Sequence, residues 1–157
     1  MKRQARNVRI GTVEVGKDHP IAVQSMAATR TQDIPATLRQ IHLIEAAGGD
    51  IIRVAVDSAR DVEALAQIRP QTRANLVVDL QENYRMVTRV APHVAKVRYN
   101  PGHLYHLEKE RSIPDKVKFI AESALEAKKH HEGKLSETVD YNEWVTMAIQ
   151  RAVENVG

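Results

Sequence analysis

The chain is predicted to be an α/β protein built on a parallel sheet, and three observations predict it. Four short apolar runs recur, at residues 21–26, 50–56, 75–81 and 96–100. The segments between them carry apolar residues at helical rather than alternating spacing, with glycines, prolines and capping residues at the changeovers. Strand followed by helix, repeated, is the pattern of parallel strands joined by crossover helices. Each run also carries polar or charged residues where a buried strand is normally apolar, so the functional residues are expected on the strands themselves.

Taken in order, Val8 to Gly16 alternates around Gly11 and reads as a small hairpin that plugs the bottom of a barrel. After the first core strand, Asp33 is the expected N-cap of a helix. Pro35 falls in its first turn, Leu38, Ile41 and Ile44 form its apolar stripe, and Gly48-Gly49 ends it. Ser58-Ala59-Arg60-Asp61 resembles a capping box ahead of Val62, Leu65 and Ile68, and Pro70 closes that helix. A third helix is expected over 82–90, before Pro92. Ser112-Ile113-Pro114-Asp115 opens a fourth, running to Lys129 with Val117, Ile120 and Ala124 inward. A polar turn near Gly133 precedes a last helix over 141–155, with Val145, Ala148, Ile149 and Ala152 on one stripe and no fifth strand.

Strand-to-strand spacing of roughly 21 to 30 residues matches one βα unit of an eight-stranded barrel, and four units make half of one. A complete four-stranded α/β sandwich is the alternative, and spacing alone leaves both open. The expected division is residues 1–127 as the N-terminal half of a barrel and 128–157 as a helical tail.

Composition narrows the function. The 157 residues are 43% hydrophobic and 27% charged, which suits one globular domain with a sizeable core. Aromatics, at 4%, are too few for base-stacking surfaces, and 23 basic against 20 acidic residues is too balanced for non-specific nucleic-acid binding. That balance does suit a small anion held by a few arginines. No long apolar stretch or cleavable signal pattern is present, so neither nucleic acid nor membrane is expected as a partner and the chain is expected to be cytoplasmic. With no cysteine, these residues hold no disulfide, thiol nucleophile or thiolate-ligated metal. Walker, dinucleotide-glycine and nucleophile-elbow motifs are also lacking.

Side chains alternate across a strand, so Arg53 shares a face with Ile51 and Ala55, Asp79 with Val77 and Gln81, and Arg98 with Lys96 and Asn100. One sheet face therefore presents Arg53, Asp79, Gln81, Arg98 and Asn100, mostly toward the C-terminal strand ends where parallel α/β folds bind ligands. A guanidinium within an apolar strand is costly to desolvate unless it meets a carboxylate or an anionic ligand, and its planar fork suits phosphate oxygens. Two such arginines on neighbouring strands point to a diphosphate-sized anion. An internal Arg53–Asp79 ion pair that merely fills the barrel is the competing reading for Arg53. For Arg98, the Asn100-Pro101-Gly102 turn favours a ligand. His103 and His106, with Glu108 nearby, have metal-ligand spacing on a helix, but surface solvation is the better reading, as it is for His130-His131. No catalytic or metal-ligating residue is assigned.

Four segments occur in one order: Val23-Gln24-Ser25-Met26 with Thr29, Thr31 and Asp33; Ala47-Gly48-Gly49-Asp50-Ile51-Ile52-Arg53-Val54; Val78-Asp79-Leu80-Gln81-Glu82-Asn83-Tyr84-Arg85; and Val97-Arg98-Tyr99-Asn100-Pro101-Gly102. Together they resemble the N-terminal TIM-type barrel of the 4-hydroxy-3-methylbut-2-en-1-yl diphosphate synthase family, over about Arg6 to Ala127. Any one motif is weak; four in register are specific. The resemblance implies about four strands of that barrel, with the chain a fragment or truncated member. It also implies reductive ring opening of methylerythritol cyclodiphosphate in non-mevalonate isoprenoid biosynthesis, an oxidoreductase reaction. By motif it nominates Arg53, Arg98 and Asn100 as diphosphate contacts, with Asp79 and Gln81 beside them. Gln81 stands where the family has histidine and Ala28 where many members have asparagine. An amide hydrogen-bonds but is no general acid or base near neutral pH.

The family's fifth strand and its cluster domain have no counterpart here. That domain ligates a [4Fe–4S] cluster through three cysteines and a glutamate, with flavodoxin or ferredoxin as electron donor and a homodimer joining barrel to cluster. This chain is therefore expected to hold no cofactor and to be inactive in isolation. The alternative is a non-catalytic phosphate-binding or scaffold half-barrel that needs a partner chain. A third possibility is a phosphate-binding barrel of the pterin-synthase type, which shares architecture but not the four motifs.

Overall fold

Four parallel strands in consecutive order, β3-β4-β5-β6, form the central sheet of the computed structural model, which describes residues 7–80, 83–100, 104 and 108–132. The strands are β3 (Gln24–Met26), β4 (Ile51–Val56), β5 (Asn75–Leu80) and β6 (Lys96–Tyr99). The helices between and after them are α1 (Ile34–Ala46), α2 (Ala59–Ile68), α3 (Val87–Val90) and α4 (Ile113–Glu132). Consecutive order distinguishes this winding from a doubly wound sheet, whose strand order reverses. It is the winding of a barrel segment, and among the described residues the sheet does not close.

The two faces of the sheet are divided by strand alternation. Ile52, Val54 and Val56 of β4, with Leu76, Val78 and Leu80 of β5, join Ile41 of α1, Leu65 of α2, Val87 and Val90 of α3, and Val117 and Ile120 of α4 in one core. All four helices thus cover the same face. Ile52, Leu76 and Leu65 are fully buried there, each contributing roughly 1.5–3 kcal/mol of apolar burial.

Among the described residues the opposite face is covered only at its lower, N-terminal end. There β1 (Val8–Ile10) and β2 (Val13–Val15) pair antiparallel, and Ile10, Val13 and Val15 pack on Ile51 and Val77. Gly11 takes the positive φ, 61°, that the two-residue hairpin turn requires. The turn is latched to the sheet: Thr12 N–H donates to Asn75 Oδ1 at 2.9 Å, and Asn75 Nδ2 donates to Thr12 Oγ1 and the Asp50 carbonyl, both at 3.0 Å.

Local signals explain the helix ends. The Asp33 carboxylate accepts from Ala36 N–H at 3.0 Å and caps α1, which ends at Ala46 with Gly48 at φ 88°. Ser58 and Asp61 form a reciprocal capping box on α2.

Two expectations are corrected. The first core strand is three residues long rather than six, because its partner β4 begins only at Ile51. Residues before Gln24 therefore lie beyond the ladder, and Ile21 is 92% exposed. Val23 is held by the Asp50 side chain, its N–H donating to Asp50 Oδ2 at 2.8 Å. The expected helix over 82–90 is a single α turn, α3, between 3₁₀ turns at Tyr84–Met86 and Ala91–His93. Pro92 has no N–H to extend an α ladder, and ten residues between those bounds leave little room for one. The turn near Gly133 and the helix over 141–155 lie outside the described residues.

Candidate functional site

Parallel pairing places Asp79 opposite Arg98 on β6 and opposite Ala55 on β4, while Arg53 lies opposite Met26 and Val77. Because Ile51 and Val77 sit on the hairpin face, alternation puts Arg53 and Asp79 on that same face, above the hairpin. The three charged side chains meet there. Arg98 Nη1 donates to Asp79 Oδ1 at 2.8 Å and to Oδ2 at 3.0 Å, and Arg53 Nη1 lies 3.7 Å from Oδ2. Arg53 Nε also donates to Met26 Sδ at 3.3 Å.

The carboxylate is almost wholly buried, the Arg53 side chain is 27% exposed and the Arg98 side chain 45%. An acidic group sunk in the sheet thus orients two guanidinium groups that remain open to solvent in part. Two cations against one anion leave the trio with a formal excess of one positive charge. Charge-assisted hydrogen bonding to the buried carboxylate orients the arginines while leaving each partly exposed. The competing reading of Arg53 as an ion-pair partner of Asp79 is present in the geometry as well, though at 3.7 Å the contact is looser than that of Arg98.

Asn100 follows β6 by one residue, on the alternation shared with Arg98, and is half-buried. Gln81, His103 and His106 lie outside the described residues. The upper rim beside Arg53 is shaped by the β3–α1 connection: Ala27 N–H donates to the Arg53 carbonyl at 2.9 Å, and Thr31 Oγ1 to the Ala55 carbonyl at 2.6 Å. Gln40 Oε1 accepts from Ala28 N–H at 2.6 Å.

A second polar cluster at the same end of the sheet was not anticipated. Tyr84 Oη donates to Glu108 Oε2, Arg85 Nη2 to Glu108 Oε1 at 2.6 Å, and Arg111 Nη1 to Tyr84 Oη at 3.3 Å. Asn83, Tyr84, Arg85 and Glu108 line a cavity of about 230 Å³. The Tyr84 hydrogen bond, then the Arg85 contact, holds the Glu108 carboxyl below its ordinary value despite partial desolvation. In the sequence Glu108 stands out only as a neighbour of His103 and His106. The legible signal was Lys116, four residues before Ile120 and so on the buried stripe of α4.

Among the described residues no three His, Cys, Asp or Glu side chains are grouped to hold a metal ion, and no helix is long and apolar enough to cross a membrane.

These features define a class: a singly wound parallel α/β chain whose charged residues converge on one sheet face, beyond the apolar base that the hairpin covers. The chain belongs to the GcpE TIM-barrel domain family, whose pattern matches residues 5–131. It is 54% identical over 123 residues to the 4-hydroxy-3-methylbut-2-en-1-yl diphosphate synthase (flavodoxin) of Rhodopirellula baltica, covering 78% of this chain and 32% of that protein. The protein of the same name from Alteromonas mediterranea is 41% identical over 118 residues, covering 74% and 32%. That from Nitratiruptor sp. is 40% identical over 141 residues, covering 82% and 40%. The chain thus spans about a third of the length of the first two of these relatives.

Proposed function

We propose that this chain is the anion-binding part of the barrel of a 4-hydroxy-3-methylbut-2-en-1-yl diphosphate synthase. Its ligand is the diphosphate of methylerythritol cyclodiphosphate. Arg53 and Arg98 neutralise the phosphoryl oxygens, Asn100 hydrogen-bonds at the rim, Asp79 orients the two guanidinium groups, and Gln81, two positions after Asp79 in the sequence, supplies a neutral amide. The observation that carries this reading is the Asp79 carboxylate, toward the C-terminal end of its parallel strand, held between Arg98 and Arg53.

The whole reaction, a two-electron reductive ring opening, requires a redox group and an electron donor, flavodoxin or ferredoxin. A [4Fe–4S] cluster does not fit the residues of this chain, which has no cysteine and, where described, no grouped metal ligands. The role of these residues is to bind and orient the anion, and the 157-residue chain alone is inactive in reduction.

Calorimetric titration of the 157-residue chain with methylerythritol cyclodiphosphate and with inorganic pyrophosphate tests the reading. Binding by wild type that weakens in both Arg53→Ala and Arg98→Ala supports it. Equal affinity in all three proteins removes the arginines from the site.

A second reading, a scaffold half-barrel that needs a partner chain or a second copy of itself, is favoured by one observation. Among the described residues β3 and β6 each have a strand neighbour on one side only. Sedimentation velocity across a concentration series tests it, since a monomer with a sharp unfolding transition at every concentration would rule out the need for a partner.

A further inference from the structure

We propose that Lys116 is a positioning residue for the anion site, acting through the connection that follows β6. The inference rests on the anion-binding reading above and extends it to a residue that touches no ligand.

Lys116 is 0% exposed although it lies in the first turns of α4. A lysine so placed is costly to desolvate unless its N–H donors are met. They are met by main-chain oxygens: Nζ donates to the Leu104 carbonyl at 2.7 Å and to the Glu108 carbonyl. The Tyr84 ring lies beneath it, its centroid 5.7 Å from Nζ.

Leu104 comes four residues after Asn100 and is itself fully buried, and its carbonyl is held by the Lys116 ammonium. Glu108, the second point, is tied by its side chain to Tyr84 and Arg85, which follow β5. Tyr84 in turn stacks edge-on against Phe119 of α4, with ring centroids 5.7 Å apart. Lys116 therefore joins the segment leaving the Arg98 strand to the segment leaving the Asp79 strand. Side chains that must meet an anion together need such support, because small displacements of the groups behind them are felt at the ligand.

The test uses Lys116→Met, which keeps the length of the side chain and removes its donors, with amide hydrogen exchange and pyrophosphate calorimetry on the 157-residue chain. Exchange at Leu104 and at residues 108–112 should accelerate about tenfold while the amides of Ile52 and Leu76 keep wild-type rates. Pyrophosphate affinity should fall about threefold or more. Unchanged exchange behind β6, uniform acceleration throughout the chain, or wild-type affinity despite a loosened connection would each overturn the proposal. Wild type that takes up no pyrophosphate overturns the anion reading and the positioning role with it, while the exchange rates still decide whether the clamp exists. If Lys116→Met does not unfold cooperatively, Tyr84→Phe probes the link from the other side. Loss of the Tyr84 hydroxyl that donates to Glu108 should then speed exchange at 108–112, and wild-type rates there would count against the link.

Discussion

Asp79 and Arg98 face each other across β5 and β6, and a single guanidinium nitrogen of Arg98 reaches both carboxylate oxygens, at 2.8 and 3.0 Å. The pair is asymmetric in exposure, since the acid is buried and the base is nearly half open to water. Asp79 is therefore the fixed member and Arg98 the one that is held.

Asp79→Asn should lower stability by about 1–3 kcal/mol, because it leaves two arginines on the sheet face without the charge that oriented them; their partial exposure limits the loss. Urea unfolding measures it. A midpoint equal to wild type would mean that the trio contributes nothing to the fold.

Arg98→Lys should bind pyrophosphate about tenfold more weakly, since an ammonium group presents a point charge in place of a planar fork. Its unfolding midpoint should move little, given how much of Arg98 is already solvated. Calorimetry at fixed ionic strength and a melt on the same sample separate the two effects.

Asp61 gives stability a dependence on acid. Burial raises its carboxyl, but hydrogen bonds from Ser58 and Gln32 and from the N–H groups of Asp57 and Ser58 outweigh that and hold it below the ordinary value. A carboxyl lowered on folding stabilises fully above the unfolded value, about 4, and that stability is lost as pH falls through the folded value. Asp61→Asn should cost about 1 kcal/mol at neutral pH and flatten this part of the acid limb. Unfolding free energies compared between about pH 7 and pH 3 show both.

Gly11→Ala should unseat the hairpin. Its φ of 61° disfavours any side chain, and an added Cβ would stand 2.1 Å from Asn75 Oδ1, the atom that accepts from Thr12. A loss of more than about 1 kcal/mol is expected, with faster hydrogen exchange at Ile10 and Val13. Wild-type exchange at both would show that the turn tolerates a side chain.

What was legible in the sequence followed from local chemistry. Asp33, Ser58 and Asp61 cap where their side chains dictate, and the 51–56 and 75–80 runs form strands because their alternation and apolar content permit little else. The shared face of Arg53, Asp79 and Arg98 followed from period two alone, once the strands were in register. The length of β3 was not legible, because it depends on where β4 begins. Tyr84 and Glu108, 24 positions apart, were not legible as a pair, because only the packing of α4 against the segment after β5 brings them together. Lys116 is marked by its spacing on the α4 stripe, but what it does there is not legible, because its partners are carbonyl oxygens, which leave no trace in residue type.

The small hairpin gives the charged face a direction. Ile10, Val13 and Val15 cover the end where the strands begin, so that side of the sheet is apolar at its base and charged farther along the strands, at Asp79. The partly exposed guanidinium groups of Arg53 and Arg98 accordingly meet solvent on the part of that face the hairpin leaves uncovered.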